Sequence, residues 1–232
     1  MRAPLIDYFK TALEKLGPQH WWPGETPFEV CVGAILTQNT NWGNVEKAIN
    51  NLKSASVLEP RKLYSLPPLR LAELIRPAGY FNIKTKRLRS FLKFLLEEYE
   101  GDLARMFQEN TETLREKLLS VKGIGPETCD SILLYAGQKP VFVVDAYTKR
   151  IFVRHQLLSE EDDYFSIQEY FADRLSGYGG APLGAPLNGV QQAGALQLFN
   201  EFHALIVNIG KNWCKSREPD CENCPWKTFL PL

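Results

Sequence analysis

The stretch LLSVKGIGPETCDSILLYAGQKPVFVVDAYTKRIF, residues 118–152, decides the fold. Two glycines bracket Ile124, a helix-like run starts at Pro126, and an apolar run then stops at Asp145. Just upstream, Thr113 and Glu116 have the spacing of a capping box for a helix running to about Ser120. Val121-Lys122-Gly123-Ile124-Gly125 then turns the chain, and Pro126 suits the first position of the next helix. Ile124 can plug the gap between the two helices while Gly123 and Gly125 let the backbone pass close to an outside group. The N–H groups of the turn and of the helix start, as far as Thr128, form a seat for phosphate, with Lys122 alongside. A plain connection between two helices would use the same residues.

Asp145 has a plain reading too, as the N-cap of a helix from Ala146 to Gln156. The four residues before it are apolar, which puts the carboxylate at the edge of the core. A helix N-terminus keeps such a group ionised. A partly buried anion at a fixed point suits stabilising positive charge or activating water.

Outward from this stretch, helical periodicity dominates. Leu5, Tyr8, Phe9, Leu13 and Leu16 form one apolar stripe ended by Gly17-Pro18, and similar stripes recur with short connections to Lys211. Val141–Val144 is the single strand-like run and has no partner, so no sheet is expected. The class is all-α, with roughly ten short helices. Residues 176–195, SGYGGAPLGAPLNGVQQAGA, read as a flexible surface connection; no strand precedes these glycines and no Lys-Ser/Thr follows, so they are not a nucleotide loop.

The chain has 232 residues, 44% of them apolar and 23% charged, enough to bury a core without metal or disulfide help. Its N-terminus has no apolar signal core and no run approaches a membrane span, so a cytosolic (cytoplasmic) protein is expected. Lys plus Arg equals Asp plus Glu, 27 against 27, so any polyanion must be held by a local patch. One candidate is NIKTKRLRSFLKF, residues 82–94, where Lys84, Lys86, Arg87, Arg89 and Lys93 occur with no acid. A solvated helix face would have the same composition.

The Gly-Ile-Gly hairpin, with an Asp twenty residues after its second Gly and behind an apolar run, resembles the helix–hairpin–helix DNA glycosylases of the endonuclease III superfamily. Three further segments, in the family's order, extend the resemblance over nearly the whole chain. GAILTQNT (33–40) is similar to its early core helix and Gln-containing turn. AGYFNIKTKR (78–87) is similar to its Gly-aromatic-Asn-x-Lys segment. Cys214, Cys221 and Cys224 are similar to its iron–sulfur loop. The resemblance implies two helical lobes around a cleft: 19–132, ending in the hairpin, and 1–18 with 133–232. It implies double-stranded DNA with a damaged base as partner, the hairpin gripping phosphate, and Asp145 facing a flipped nucleotide. Lys84 and Lys86 fall on the expected DNA-contact side. Flipping needs a plug and a wedge; the matched positions are Gln38, or its neighbour Asn39, and Tyr80, or its neighbour Phe81. A monomer is assumed.

Family members that cut the strand carry a lysine where GIGPETCD has Glu127. Without that amine, covalent catalysis loses its nucleophile, and the expected reaction is monofunctional hydrolysis of the glycosidic bond. HWWPGETPFEV and TQNTNW, with Trp21, Trp22 and Trp42, resemble the 3-methyladenine glycosylase branch, in which such aromatics enclose the extruded base. A 3-alkylated adenine is cationic in the nucleoside, and electron-rich rings favour it over adenine by about 0.5–2 kcal/mol per ring. Tryptophans that simply pack the core are the plainer reading. Some relatives of this branch use a lysine in the late helix, where this chain has Leu205. A glycosylase/lyase for oxidised pyrimidines and a non-catalytic DNA-binding module are the alternatives.

The family's cysteine loop has four thiolates, which hold a [4Fe–4S] cluster. Here the fourth position is Leu230. Three readings stay open: a cluster with three cysteines and another fourth ligand, zinc with an outside ligand, or a metal-free tail held by Trp213, Trp226 and Phe229.

Overall fold

A computed structural model describes residues 3–19, 21, 24–178 and 189–231. Among the described residues there are twelve α-helices and no strand. They are α1 (Leu5–Leu16), α2 (Pro27–Leu36), α3 (Trp42–Ser54), α4 (Pro60–Ser65), α5 (Pro68–Leu74), α6 (Phe81–Tyr99), α7 (Leu103–Phe107), α8 (Thr111–Ser120), α9 (Pro126–Ser131), α10 (Ala146–Arg154), α11 (Tyr164–Leu175) and α12 (Gly189–Asn212). A π-helical turn, Ile132–Ala136, continues α9. No helix of the described residues is long and apolar enough to cross a membrane. Of the expected connection at 176–195, residues 189–195 belong to α12, and 179–188 lie outside the described residues.

The chain groups into two compact units, 22–137 and 1–21 with 138–232. In the unit 22–137, α2 is buried from Phe28 to Leu36, and all of these residues are uncharged except Glu29, which pairs with Lys53 at 3.0 Å, as expected of a central helix. It packs against α3, α6, α9 and the π turn. Its start is set by Thr26, whose hydroxyl accepts from Glu29 N at 3.2 Å, with Pro27 at the first helical position. The cap of α8 differs from the expected Thr113–Glu116 box. Asn110 does the capping, accepting from Glu112 N at 2.9 Å and Thr113 N at 3.4 Å, because the helix begins at Thr111 and leaves Thr113 inside it.

The other unit has an aromatic centre. Phe142 stacks on Phe171 at 4.4 Å, and Phe152, Phe199, Phe202 and Trp226 pack edge to face around them. Phe142 belongs to the strand-like run, which is buried but pairs with no strand among the described residues. Side chains supply its hydrogen bonds instead: Gln168 Nε2 donates to Phe142 O at 2.6 Å, and Val144 N donates to Tyr164 Oη at 3.4 Å. The run thereby delivers the chain to Asp145.

Candidate active site and DNA-contact residues

In the unit 22–137 the glycine turn joins α8 to α9. Arg115 on α8 donates to both carboxylate oxygens of Asp130 on α9, at 2.7 and 2.9 Å, and Asp130 is fully buried. This two-pronged pair clamps the two helices. Ile124 is buried between them, and its N–H closes the turn on Val121 O at 3.0 Å. Gly123 has φ +95°, and a Cβ there would stand 2.4 Å from Arg87 Cγ. Both the backbone angle and the stem of Arg87 therefore require glycine. Gly125 is the extended N-cap of α9, with Pro126 at the first helical position. Lys122 and Glu127 are exposed.

The side chains of Thr128 and Gln38 face each other. The Thr128 hydroxyl is buried and accepts from Gln38 Nε2 at 2.9 Å. Gln38 Nε2 also donates to Gly123 O at 3.0 Å, and Gln38 Oε1 accepts from Arg87 Nη1. The amide of Gln38 thus braces the hairpin. Its neighbour Asn39 is exposed, at φ +55°. Tyr80, before α6, also has a left-handed backbone, φ +45°, with 67% of its surface exposed.

The basic block on α6 needs correction. Lys84 is only 1% exposed, and its ammonium donates to Leu36 O at 2.8 Å and Ala78 O at 2.7 Å. Burial, helped by the Arg87 charge, lowers its pKa to about 8. An amine so enclosed does not reach phosphate. Arg89 Nη1 is bound to Tyr64 O and Leu66 O, and Lys93 pairs with Glu97 at 3.7 Å. Lys86 remains exposed. Trp42 opens α3 and is half-buried, next to the N-cap Asn41, which accepts from Asn44 N at 3.1 Å.

In the other unit, Asp145 caps α10. Its Oδ1 accepts from Thr148 N at 2.7 Å and Thr148 Oγ1 at 2.8 Å. Its Oδ2 stands 3.6 Å from Nε2 of His203, on α12. Burial alone would push the carboxyl up, but His203 and the Thr148 donors outweigh it and hold the group below its ordinary value. The close approach of α10 and α12 that makes this pairing possible has a local cause. The Tyr147 ring lies on Gly210, where a Cβ would meet Tyr147 Cδ1 at 2.3 Å. Arg150 adds hydrogen bonds to Gly210 O and Cys214 O, at 3.1 and 2.9 Å.

His203 is the residue the sequence reading missed. The late helix drew attention through Leu205, which is fully buried. Only the spatial neighbour of Asp145 identifies His203, and sequence spacing carries no such signal. Trp21 is half-buried with the Lys211 ammonium 5.4 Å from its ring centre. Trp22 lies outside the described residues.

Cys214, Cys221 and Cys224 line one hollow together with Arg154, His155, Asp220 and Leu230. Arg154 Nη1 donates to Cys214 Sγ at 3.2 Å. Among the described residues no three His, Cys, Asp or Glu side chains converge at metal-binding distance. Leu230, at the family's fourth cysteine position, presents an apolar side chain, so a four-cysteine cluster does not fit these residues. Protein contacts hold the tail: Trp226 is fully buried and donates Nε1–H to Tyr8 O at 2.8 Å, and Phe229 lies 4.5 Å from the Tyr8 ring.

Residues 32–176 match the model of the HhH-GPD superfamily of base excision DNA repair proteins. The chain is 46% identical to a Methanocaldococcus jannaschii protein provisionally named a DNA repair glycosylase, over 95% of this chain and 93% of that one. It is 26% identical to endonuclease III of Sulfolobus acidocaldarius, over 85% and 78%. Among solved structures it resembles H. pylori 3-methyladenine DNA glycosylase bound to 1,N6-ethenoadenine, with TM-score 0.74 and 34% identity over 89% of this chain and 95% of that one. A non-covalent endonuclease III–DNA complex gives TM-score 0.77 at 18% identity, covering 97% and 94%, which concerns the fold alone.

Proposed function

The chain belongs to the HhH-GPD superfamily of base excision DNA repair proteins and is a DNA N-glycosylase; from that premise we propose that it is monofunctional and excises alkylated purines, 3-methyladenine foremost, from duplex DNA. The observation that carries the reading is the pinned carboxylate of Asp145, kept ionised by His203 and Thr148. The bond from C1′ to the base breaks and its electron pair leaves with the base. A 3-alkylated adenine is cationic before cleavage, so it departs neutral and needs no general acid. Asp145 stabilises the positive sugar and takes up the proton of the water that adds to C1′.

Monofunctional chemistry is supported by Glu127, an exposed acid where strand-cutting members carry their lysine. The alkylpurine assignment is supported by the relative at 34% identity, a 3-methyladenine glycosylase, and by the tryptophans at 21, 22 and 42 as faces for a cationic base. The hairpin from Lys122 to Gly125, with Lys86 as a further cation, is assigned to phosphate, and the protein is taken to act as a monomer. The cysteine loop is assigned a structural role, and iron and zinc content with visible absorbance decide what its three thiols hold.

The test compares base release and strand breakage on methylated duplex with duplex carrying an oxidised pyrimidine. Free 3-methyladenine, with breaks only after alkali, is the expected result. Direct nicking at the oxidised pyrimidine, trapped by borohydride, would instead establish the lyase reading. Binding without release of any base would establish a non-catalytic module.

A further inference from the structure

Two non-glycine residues with left-handed backbones stand exposed near one buried amine. Asn39, φ +55°, lies three residues beyond the end of α2, and Tyr80, φ +45°, lies two residues beyond the 3-10 turn Arg76–Ala78. Such conformations are costly for residues with a Cβ and persist where surrounding structure enforces them. The group that ties the two turns together is Lys84. Its Nζ donates to Leu36 O, the last carbonyl of α2, and to Ala78 O, the last of the 3-10 turn. Both acceptors lie at helix C-termini, where carbonyls have no intrahelical partner and the dipole favours a cation. One turn further along α6, Arg87 binds Gln38, which binds Gly123 and Thr128. Lys84 and Arg87 thus hold three turns on one side of a single helix.

We propose that Lys84 is a positioning residue: by binding Leu36 O and Ala78 O together it fixes the spacing of the two exposed turns, so that Asn39 and Tyr80 enter a damaged duplex as one unit. The proposal rests on the glycosylase reading, since it takes these turns as the parts that penetrate DNA. It does not depend on which base is excised. Lys84 itself never touches DNA. Arg87, by the same construction, couples that unit to the phosphate-gripping hairpin. A lysine serving only to fill the core would gain nothing from two charge-assisted bonds to two separate turns, since an apolar side chain would fill the same space without the desolvation cost.

The test uses a duplex with a tetrahydrofuran abasic analogue and 2-aminopurine in the opposite strand, so that no base release is required. Penetration unstacks 2-aminopurine and raises its fluorescence. At saturating protein, Tyr80→Ala and Lys84→Met are each expected to cut the rise at least about threefold, and the double variant no further than the larger single effect, as for residues acting as one unit. Circular dichroism and melting check that Lys84→Met folds; if it does not, Lys84→Gln, whose side chain is one atom too short to bring its amide to both carbonyls, replaces it in the same cycle. A full wild-type rise with either Lys84 variant, multiplying effects of the two sites, or no rise with the wild-type protein would overturn the proposal. Absence of alkylated-base release, with the fluorescence behaviour as expected, would sink the substrate assignment and leave the positioning role standing.

Discussion

His203 Nε2 stands 3.6 Å from Asp145 Oδ2, while the other carboxylate oxygen is held by both donors of Thr148. The arrangement leaves Asp145 little freedom to rotate and strong reason to stay charged. Replacing Asp145 by Asn keeps the shape and part of the capping but removes the charge. Asp145→Asn is expected to lower the single-turnover rate of base release by about 10²–10⁴-fold and leave affinity for abasic-analogue duplex within a few-fold. Retained excision would mean that the carboxylate is not the reacting group.

The same contact makes a pH prediction with a definite sign. His203 lowers the Asp145 pKa, so removing it lets the burial penalty act with less opposition. His203→Gln is therefore expected to move the acid limb of the rate profile to higher pH. In stability, the ionised wild-type Asp145 contributes most above its ordinary pKa, and that contribution is lost as pH falls through the lowered folded value. An acid limb that stays in place in His203→Gln would show that His203 does not set the charge of Asp145.

The hairpin clamp is a matter of stability. Asp130 is fully buried and bonded at both oxygens by Arg115. Removing one partner strands the other, which for a buried pair costs about 3–5 kcal/mol. Arg115→Met should show a loss of that order in urea unfolding. Arg115→Met combined with Asp130→Leu should lose less than the sum of the singles. A loss from Arg115→Met below about 1 kcal/mol, the scale of an exposed pair, would mean that solvent reaches the site.

Lys84 gives the same pH sign as Asp145 in a more alkaline window, because both folded pKa values are lowered. Its folded pKa, about 8, lies below the ordinary value of 10.5. Between those values the unfolded chain holds the extra proton, so stability rises with pH across that window. The neutral amine still has two N–H donors for its two carbonyls, so the contact survives deprotonation. The stability difference between wild type and Lys84→Met, measured in urea at about pH 7 and about pH 10, should grow at the higher pH. A shrinking difference would mean that the charge is favoured where it is buried.

Much of this was legible in the chain because the informative signals are local. The glycine turn, Pro126 at the start of α9, Asp145 as an N-cap and the helical stripes all depend on neighbours within a few residues. What escaped depends on residues far apart in sequence. Nothing near Lys84 says that its amine turns inward to Leu36 and Ala78, so charge alone assigned it to the surface. Gln38 reads as an exposed polar residue after a helix until Gly123, Thr128 and Arg87 are seen around it. His203 sits in an apolar helix like any buried histidine, and only the approach of α12 to α10 over Gly210 gives it a partner. Asn110 displaced Thr113 as the cap because both have capping chemistry, and the helix start, set by packing, decides between them.

Glu127 offers a gain-of-function test of monofunctionality. It lies in the first turn of α9, next to Pro126, and is exposed, so a lysine there would have room and solvent. The N-terminal end of a helix disfavours a cation, which lowers the amine pKa and raises the fraction of free base able to attack. Glu127→Lys is expected to retain base release and to gain a borohydride-trapped covalent adduct with damaged duplex, along with strand breaks that appear without alkali. The loss of a first-turn acid should cost stability by no more than about 1 kcal/mol. Wild type forming the adduct as strongly as Glu127→Lys would show that another amine already does the work. An unreactive Glu127→Lys that still binds and excises would show that position 127 is not where the nucleophile acts, removing the main support for reading the missing lysine as the cause of hydrolysis without strand cleavage.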